Sequence, residues 1–234
     1  MSTIAENLIQ VRKNIAEAAG GRSVKLLAVS KTFPVGAIAE ALHVGQLSFG
    51  ENYAQEGAAK VEYFNTRYPD VPIEWHFIGP LQSNKTRLVA EHFQWVESID
   101  RLKIAQRLNE QRPADLPPLN VLVEINIDEE DSKSGISAKE LEGLLAELVK
   151  LPRLKVRGLM CIPKAEADES PKRAAFGQMR ALFKECIAQG YEFDTLSMGM
   201  SADYVCAIEE GSTLVRVGSA IFGARDYSKK TEGK

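Results

Sequence analysis

LLAVSK, residues 26–31, sets four consecutive apolar residues, Leu26 to Val29, ahead of Ser30 and Lys31, and Phe33-Pro34 follow directly. Such a run predicts a short interior strand that stops at a proline-marked turn, with Lys31 at its C-terminal lip. A lysine desolvated at the mouth of an apolar core is a usable nucleophile toward a carbonyl, so Schiff-base chemistry is one reading of Lys31. A lysine that snorkels to water from a strand end is the other.

Working outward, Ile4, Leu8, Val11 and Ile15 recur at spacings of three and four, which predicts an amphipathic helix over 3–19 ended by Gly20-Gly21. After Lys31, Pro34 with Ile38, Ala41 and Leu42 predicts a helix closing near Gly45. Further strands are predicted at 47–52 (LSFGEN), 74–79 (EWHFIG), 95–99, 119–126 (LNVLVEIN), 154–162 (LKVRGLMCI), 195–200 (TLSMGM) and 214–223 (LVRVGSAIFG). Helices fall between them at about 53–68, 84–92, 101–111, 137–149, 171–188 and 203–210. The polar stretch 163–170 reads as a mobile loop, and residues 228–234 as a charged, disordered tail.

Eight strands alternating with helices predict an α/β fold, a single (β/α)8 TIM barrel spanning residues 1–234 with an extra N-terminal helix within 1–21. A doubly wound open sheet is the alternative, but no G-x-G-x-x-G or GK[ST] loop accompanies the strands. A barrel places the C-terminal end of every strand on one rim. It would gather Lys31, Asn52, His76, Asn126, Met160, Ser201 and residues 216–219 around one mouth.

Composition narrows the function classes. The 234 residues are 44% hydrophobic and 26% charged with a formal net charge of -3, which leaves no basic footprint for nucleic acid. No stretch is long and apolar enough to span a bilayer, and the N-terminus lacks a signal-peptide apolar core, so a cytoplasmic location is expected. Cys161, Cys186 and Cys206 are widely spaced with no CxxC pair, and they read as reduced thiols and not as a metal site.

Two Gly/Ser stretches close strands seven and eight: SMGMS, 197–201, and RVGSAIFG, 216–223. Barrels often bind phosphate between these loops, where glycines expose backbone N–H groups. Ser201 is placed either to hold a phosphate or merely to cap the helix near Asp203. Arg216, two residues before Gly218, shares its side of the strand and needs an acceptor inside the mouth. That acceptor is a ring nitrogen, or a barrel acid such as Glu51 or Glu124. A lysine for an aldehyde, an arginine for a pyridine nitrogen and a Gly/Ser cup for a phosphate are together the three handles of pyridoxal 5'-phosphate (PLP).

The stretches LLAVSKT, FGENY-QE, WHFIGPLQSNK, VLVEINI, SKSG, RGLMCIP, LSMGMS-D and VRVGSAIFGAR resemble those of the pyridoxal-phosphate homeostasis proteins, the YggS/PROSC family. The resemblance runs in order from Leu26 to Tyr227. It implies a fold-type III PLP barrel like the alanine racemase N-terminal domain. Lys31 would then carry PLP as an aldimine and Arg216 would face the pyridine nitrogen. Ser201, Gly218 and Ser219 would hold the phosphate, with Met200 and Asn52 lining the site. No residue is assigned a catalytic or metal-ligating role, and His76, Gln82, Asn84, Lys85 and Lys133 receive none.

Two function classes follow. A PLP racemase needs a second proton carrier on the opposite cofactor face, which racemases of this fold draw from a second domain. With seven residues after Tyr227, no such domain is expected. The other class binds PLP reversibly and buffers or delivers it in vitamin B6 homeostasis, with PLP and apo-PLP enzymes as partners. A monomer is expected, a dimer being the alternative. A class I aldolase using Lys31 is a third possibility, but it leaves Arg216 without a purpose.

Overall fold

The computed structural model describes residues 2–128, 134–164 and 168–224. Lys133, Tyr227 and the charged tail lie outside the described residues.

The eight strands are β1 (Lys25–Val29), β2 (Ser48–Glu51), β3 (Glu74–Phe77), β4 (Trp95–Ile99), β5 (Leu119–Ile125), β6 (Leu154–Cys161), β7 (Thr195–Met200) and β8 (Leu214–Val217). All pair in parallel with their sequence neighbours, and β8 returns to β1 with Lys25 opposite Leu214 and Leu27 opposite Arg216, which closes the barrel. Closure excludes the open-sheet alternative. The helices are α1 (Ile4–Ala19), α2 (Val35–His43), α3 (Ala54–Arg67), α4 (Thr86–His92), α5 (Leu102–Gln111), α6 (Leu141–Leu148), α7 (Glu169–Ala188), α8 (Tyr204–Glu209) and α9 (Ser219–Phe222). Among the described residues, no helix is long and apolar enough to cross a membrane, and no group of three or more His, Cys, Asp or Glu side chains comes together as a metal site.

The extra helix α1 starts at a capping box. The Thr3 hydroxyl accepts from Glu6 N at 3.2 Å, and the Glu6 carboxylate accepts from Thr3 N at 2.8 Å. It ends at Gly20 in the left-handed conformation, φ 56°. Leu8, Val11 and Ile15 are buried, each contributing roughly 1.5–3 kcal/mol of hydrophobic stabilisation. Asn7 Nδ2 donates to Ile221 O at 2.8 Å and Asn14 Nδ2 to Tyr204 Oη at 2.9 Å, so α1 is also fixed by polar contacts to α9 and α8.

One element departs from expectation in its type. The stretch 214–223 is not a single strand: β8 stops at Val217, and Ser219–Phe222 forms the short helix α9. A brief apolar run such as Ala-Ile-Phe suits either state. Here the turn at Gly218 redirects the chain, and Ile221 is buried beneath it. Two predicted helices begin later than expected, because Ser83–Lys85 and Ala138–Glu140 form 3-10 turns ahead of α4 and α6.

Candidate functional site

Lys31 is held by its neighbours' backbone. β1 ends at Val29, and Ser30 N still donates to Gly50 O at 3.0 Å. Thr32, with φ 69°, is the only non-glycine at positive φ among the described residues, a costly conformation that the surroundings must enforce. Those surroundings are a buried cluster on β2 and α3. Lys60 Nζ donates at 2.8 Å to Ser30 O, to Glu51 Oε1 and to Glu56 Oε1. Ser30 Oγ donates to Glu51 Oε1 and Thr32 N to Glu56 Oε1, both at 2.6 Å. The cluster therefore grips the chain immediately before and after Lys31. Burial pushes the Glu51 carboxyl upward in spite of Lys60 beside it.

At the C-terminal mouth lies a cavity of about 280 Å³. Lys31, Asn52, Met200, Ser201, Arg216, Gly218 and Ser219 all line it, together with Val29, Ile78, Ile162 and Ala202. The structure thus brings together every residue that the resemblance implied for the site. Of the other residues expected on the rim, His76 and Met160 are buried away from this cavity and Asn126 does not line it. Gln82 and Lys85 line a separate cavity of about 410 Å³ that shares Asn52.

Arg216 is 3% exposed. Its Nη1 donates to Ser197 Oγ at 2.6 Å and its Nη2 to Cys161 O at 2.8 Å. Neither Glu51 nor Glu124, the acids proposed as its alternative partners, is hydrogen-bonded to it; Glu51 is taken by Lys60. Ser201 does not cap α8, whose N-cap is Asp203. Its hydroxyl accepts instead from Gly218 N at 3.1 Å and Ala220 N at 3.4 Å, tying the β7 loop to the β8 loop. Ser201, Gly218 and Ser219 thus form a polar side of the cavity, opposite in chemistry to its apolar walls.

Asn52 Oδ1 is buried without a hydrogen-bond partner among the described residues. An unmet acceptor of this kind is costly unless a ligand supplies the donor. Its backbone position depends on Gly79, where an added Cβ would stand 2.5 Å from Asn52 O and 2.9 Å from Asn52 Cα. The glycine of the WHFIGP stretch therefore permits the close approach of β3's end to Asn52.

Two further groups near Arg216 are strongly shifted. Burial raises the Cys161 thiol to about 12, against the pull of Arg216, so it is an inert core thiol. Burial also raises the Glu124 carboxyl to about 7, with Asp100 adding and Arg216 opposing. The folded chain therefore binds a proton that the unfolded chain releases above the ordinary value of 4.5. Stability from this group falls as pH rises from about 4.5 to about 7. Glu124→Gln is expected to stabilise the protein by on the order of 2–3 kcal/mol at pH 8 and by almost nothing at pH 4.5. Urea unfolding at the two pH values measures this, and equal effects would contradict it. Glu74 runs the other way: against the cost of burial, His76 and Lys25 lower its carboxyl to about 2. Its contribution is present above 4.5 and is lost as pH falls toward 2.

Sequence reasoning did not single out Lys60, Glu56, Glu97 or Ser197. The local signal is the spacing of four between Glu56 and Lys60 on α3; the other contacts join residues nine or more positions apart in sequence.

The family model of the alanine racemase N-terminal domain matches residues 1–226. The pyridoxal phosphate homeostasis protein of Escherichia coli (strain K12) is 57% identical, covering 98% of this chain and 100% of that protein. The structure of PipY from Synechococcus elongatus with PLP bound is similar at a TM-score of 0.84 and 35% identity, covering 94% of this chain and 100% of that one. Alanine racemase from Corynebacterium glutamicum has a TM-score of 0.71 at 18% identity, and the match covers 95% of this chain and 60% of that one; this likeness is one of fold. The chain belongs to the alanine racemase N-terminal domain family and, within it, to the pyridoxal phosphate homeostasis proteins.

Proposed function

We propose that the cavity at the barrel mouth binds PLP reversibly, anchored covalently on Lys31, and that the protein buffers or delivers this cofactor without efficient turnover of a substrate. The observation that carries this reading is the convergence of Lys31, Arg216 and the Ser201–Gly218–Ser219 cradle on one small cavity. When bound, PLP supplies an aldehyde that condenses reversibly with a lysine amine, a phosphate, and a pyridine nitrogen with a lone pair.

The residues present fit such a group. The Ser201 and Ser219 hydroxyls of the cradle suit an anion, and the cation of Arg216 suits an uncharged ring nitrogen. The unmet acceptor of Asn52 offers a place for a donor on the ligand. Val29, Ile78, Ile162 and Met200 supply the apolar walls that exclude water from a flat ring. The cluster around Lys60 fixes the backbone from which the Lys31 amine is presented.

Two arguments support a carrier over a racemase. An arginine donating to the ring nitrogen opposes ring protonation and weakens the cofactor's capacity to absorb carbanion charge. Among the described residues the titratable side chains lining the cavity are Lys31 and Arg216, and a racemase would need a second proton carrier facing the cofactor. On this reading the chain acts as one domain in the cytoplasm, works as a monomer, and hands PLP to apo-PLP enzymes. Mixing the PLP-loaded protein with an apo-PLP enzyme is expected to restore that enzyme's activity, while the loaded protein alone racemises L-alanine no faster than free PLP. Rapid racemisation without transfer would reverse the assignment.

A further inference from the structure

Barrel interiors of this type are normally filled by layers of branched apolar side chains. This one holds a file of ionisable groups instead. Below Arg216, the Ser197 hydroxyl donates to Glu97 Oε2 at 2.6 Å. Glu97 Oε1 lies 2.6 Å from His76 Nδ1, and His76 Nε2 lies 2.7 Å from Glu74 Oε1. Glu74 pairs in turn with Lys25, at the first residue of β1. His76 and Glu97 are both fully buried, and the imidazole stacks on Trp95 with ring centroids 4.9 Å apart and planes 4° from parallel.

Counting hydrogens limits the charges this file can carry. Ser197 has one hydroxyl hydrogen, which goes to Glu97, so it accepts from Arg216. Each nitrogen of His76 faces a carboxylate oxygen, whereas a neutral imidazole carries only one N–H. Burial opposes ionisation of Glu97, but the hydrogen bond and charge of His76, then Arg216 and Ser197, hold its carboxyl below the ordinary range, and Glu74 is lower still. If both acids are ionised, both nitrogens of His76 must donate and the ring is an imidazolium; if one acid holds the proton, the ring is neutral. In the first case Lys25, Glu74, His76, Glu97 and Arg216 alternate in sign, leaving one net positive charge.

We propose that His76 is a positioning residue: a buried imidazolium that neutralises Glu97, so that Arg216 meets only the neutral Ser197 hydroxyl on that side and its cation serves the ring nitrogen of the cofactor. The inference rests on the reading that the mouth binds PLP. Without the imidazolium, Glu97 would be a bare buried carboxylate one hydroxyl away from the guanidinium, and would compete with the cofactor for it.

The test is a double-mutant cycle on the full chain with His76→Gln, Glu97→Gln and the two combined, reading PLP affinity by equilibrium dialysis and the visible band of bound PLP. His76→Gln is expected to weaken PLP binding about tenfold and to shift the band; the double variant should return to within about threefold of the unmutated protein, because no charge is left to balance. Unaltered affinity and spectrum in His76→Gln would overturn the proposal, as would a double variant no better than the single one while circular dichroism shows all folded. Histidine ¹⁵N NMR of the unmutated protein needs no variant to fold for its central claim: two proton-bearing ring nitrogens at the His76 site support it, and one bare nitrogen overturns it. Failure of the unmutated protein to bind PLP at all would overturn the cofactor reading and the positioning role with it, and the NMR result would separate the two.

Discussion

Lys31→Ala is expected to yield a folded barrel that forms no visible band with PLP and no borohydride-reducible adduct. The cradle and Arg216 would persist, so PLP should still bind through its phosphate and ring nitrogen, weaker by roughly a hundredfold. The fold should survive because hydrogen bonds of Ser30, Thr32 and Lys60 shape this turn and all of them remain in the variant. Lys31 is also only half-buried, at the edge of the cavity and outside the hydrophobic core. Absorbance, reduction and circular dichroism check the three parts separately. Collapse of the dichroism signal would assign Lys31 a structural role, and an undiminished adduct would move the anchor to another lysine.

Lys60→Met is expected to be the most damaging single change to stability, costing about 3–5 kcal/mol. Lys60 is 6% exposed and Glu51 is fully buried, so removing the cation strands Glu51 in the core without its partner. The Ser30 carbonyl and Glu56 lose the same donor, and the strained Thr32 backbone loses part of what enforces it. Glu51 is already pushed upward by burial, so in the variant it escapes the penalty by taking a proton. The loss should therefore be smaller at pH 5 than at pH 8, and Glu51→Gln in the same chain should recover part of it. A change of this size would lower the melting temperature by about 10 °C. A loss under about 1 kcal/mol would mean that the cluster is solvated and that Lys60 does not organise the turn.

Much of this architecture was legible because it is local or periodic. The apolar run before Lys31 marks β1, and the limits of β4 and β7 agree with the strands predicted at 95–99 and 195–200. The barrel topology then did the rest for the site. Strands that are far apart in sequence end on one rim, so Lys31, Asn52, Ser201 and Arg216 could be grouped without knowing any distance. Illegible features were those decided by register or by competing local states. Nothing near His76 in sequence announces Glu97, which meets it from the neighbouring strand β4, or Ser197, which meets Glu97 from β7. The residues after Gly218 carry no period long enough to separate strand from helix, and the chain resolves the choice by burying Ile221. Ser201 sits two residues too early to cap α8, and only the folded geometry shows its hydroxyl meeting the amides of Gly218 and Ala220.

The most direct test of the central claim is to add PLP to the purified protein, record the visible spectrum, reduce with borohydride and map the modified peptide by mass spectrometry. A yellow band that disappears on reduction, with the phosphopyridoxyl group on Lys31 alone, is the predicted result. No band and no adduct would remove PLP from the barrel mouth and leave cleavage of a sugar phosphate, with Lys31 as the nucleophile, as the activity to assay.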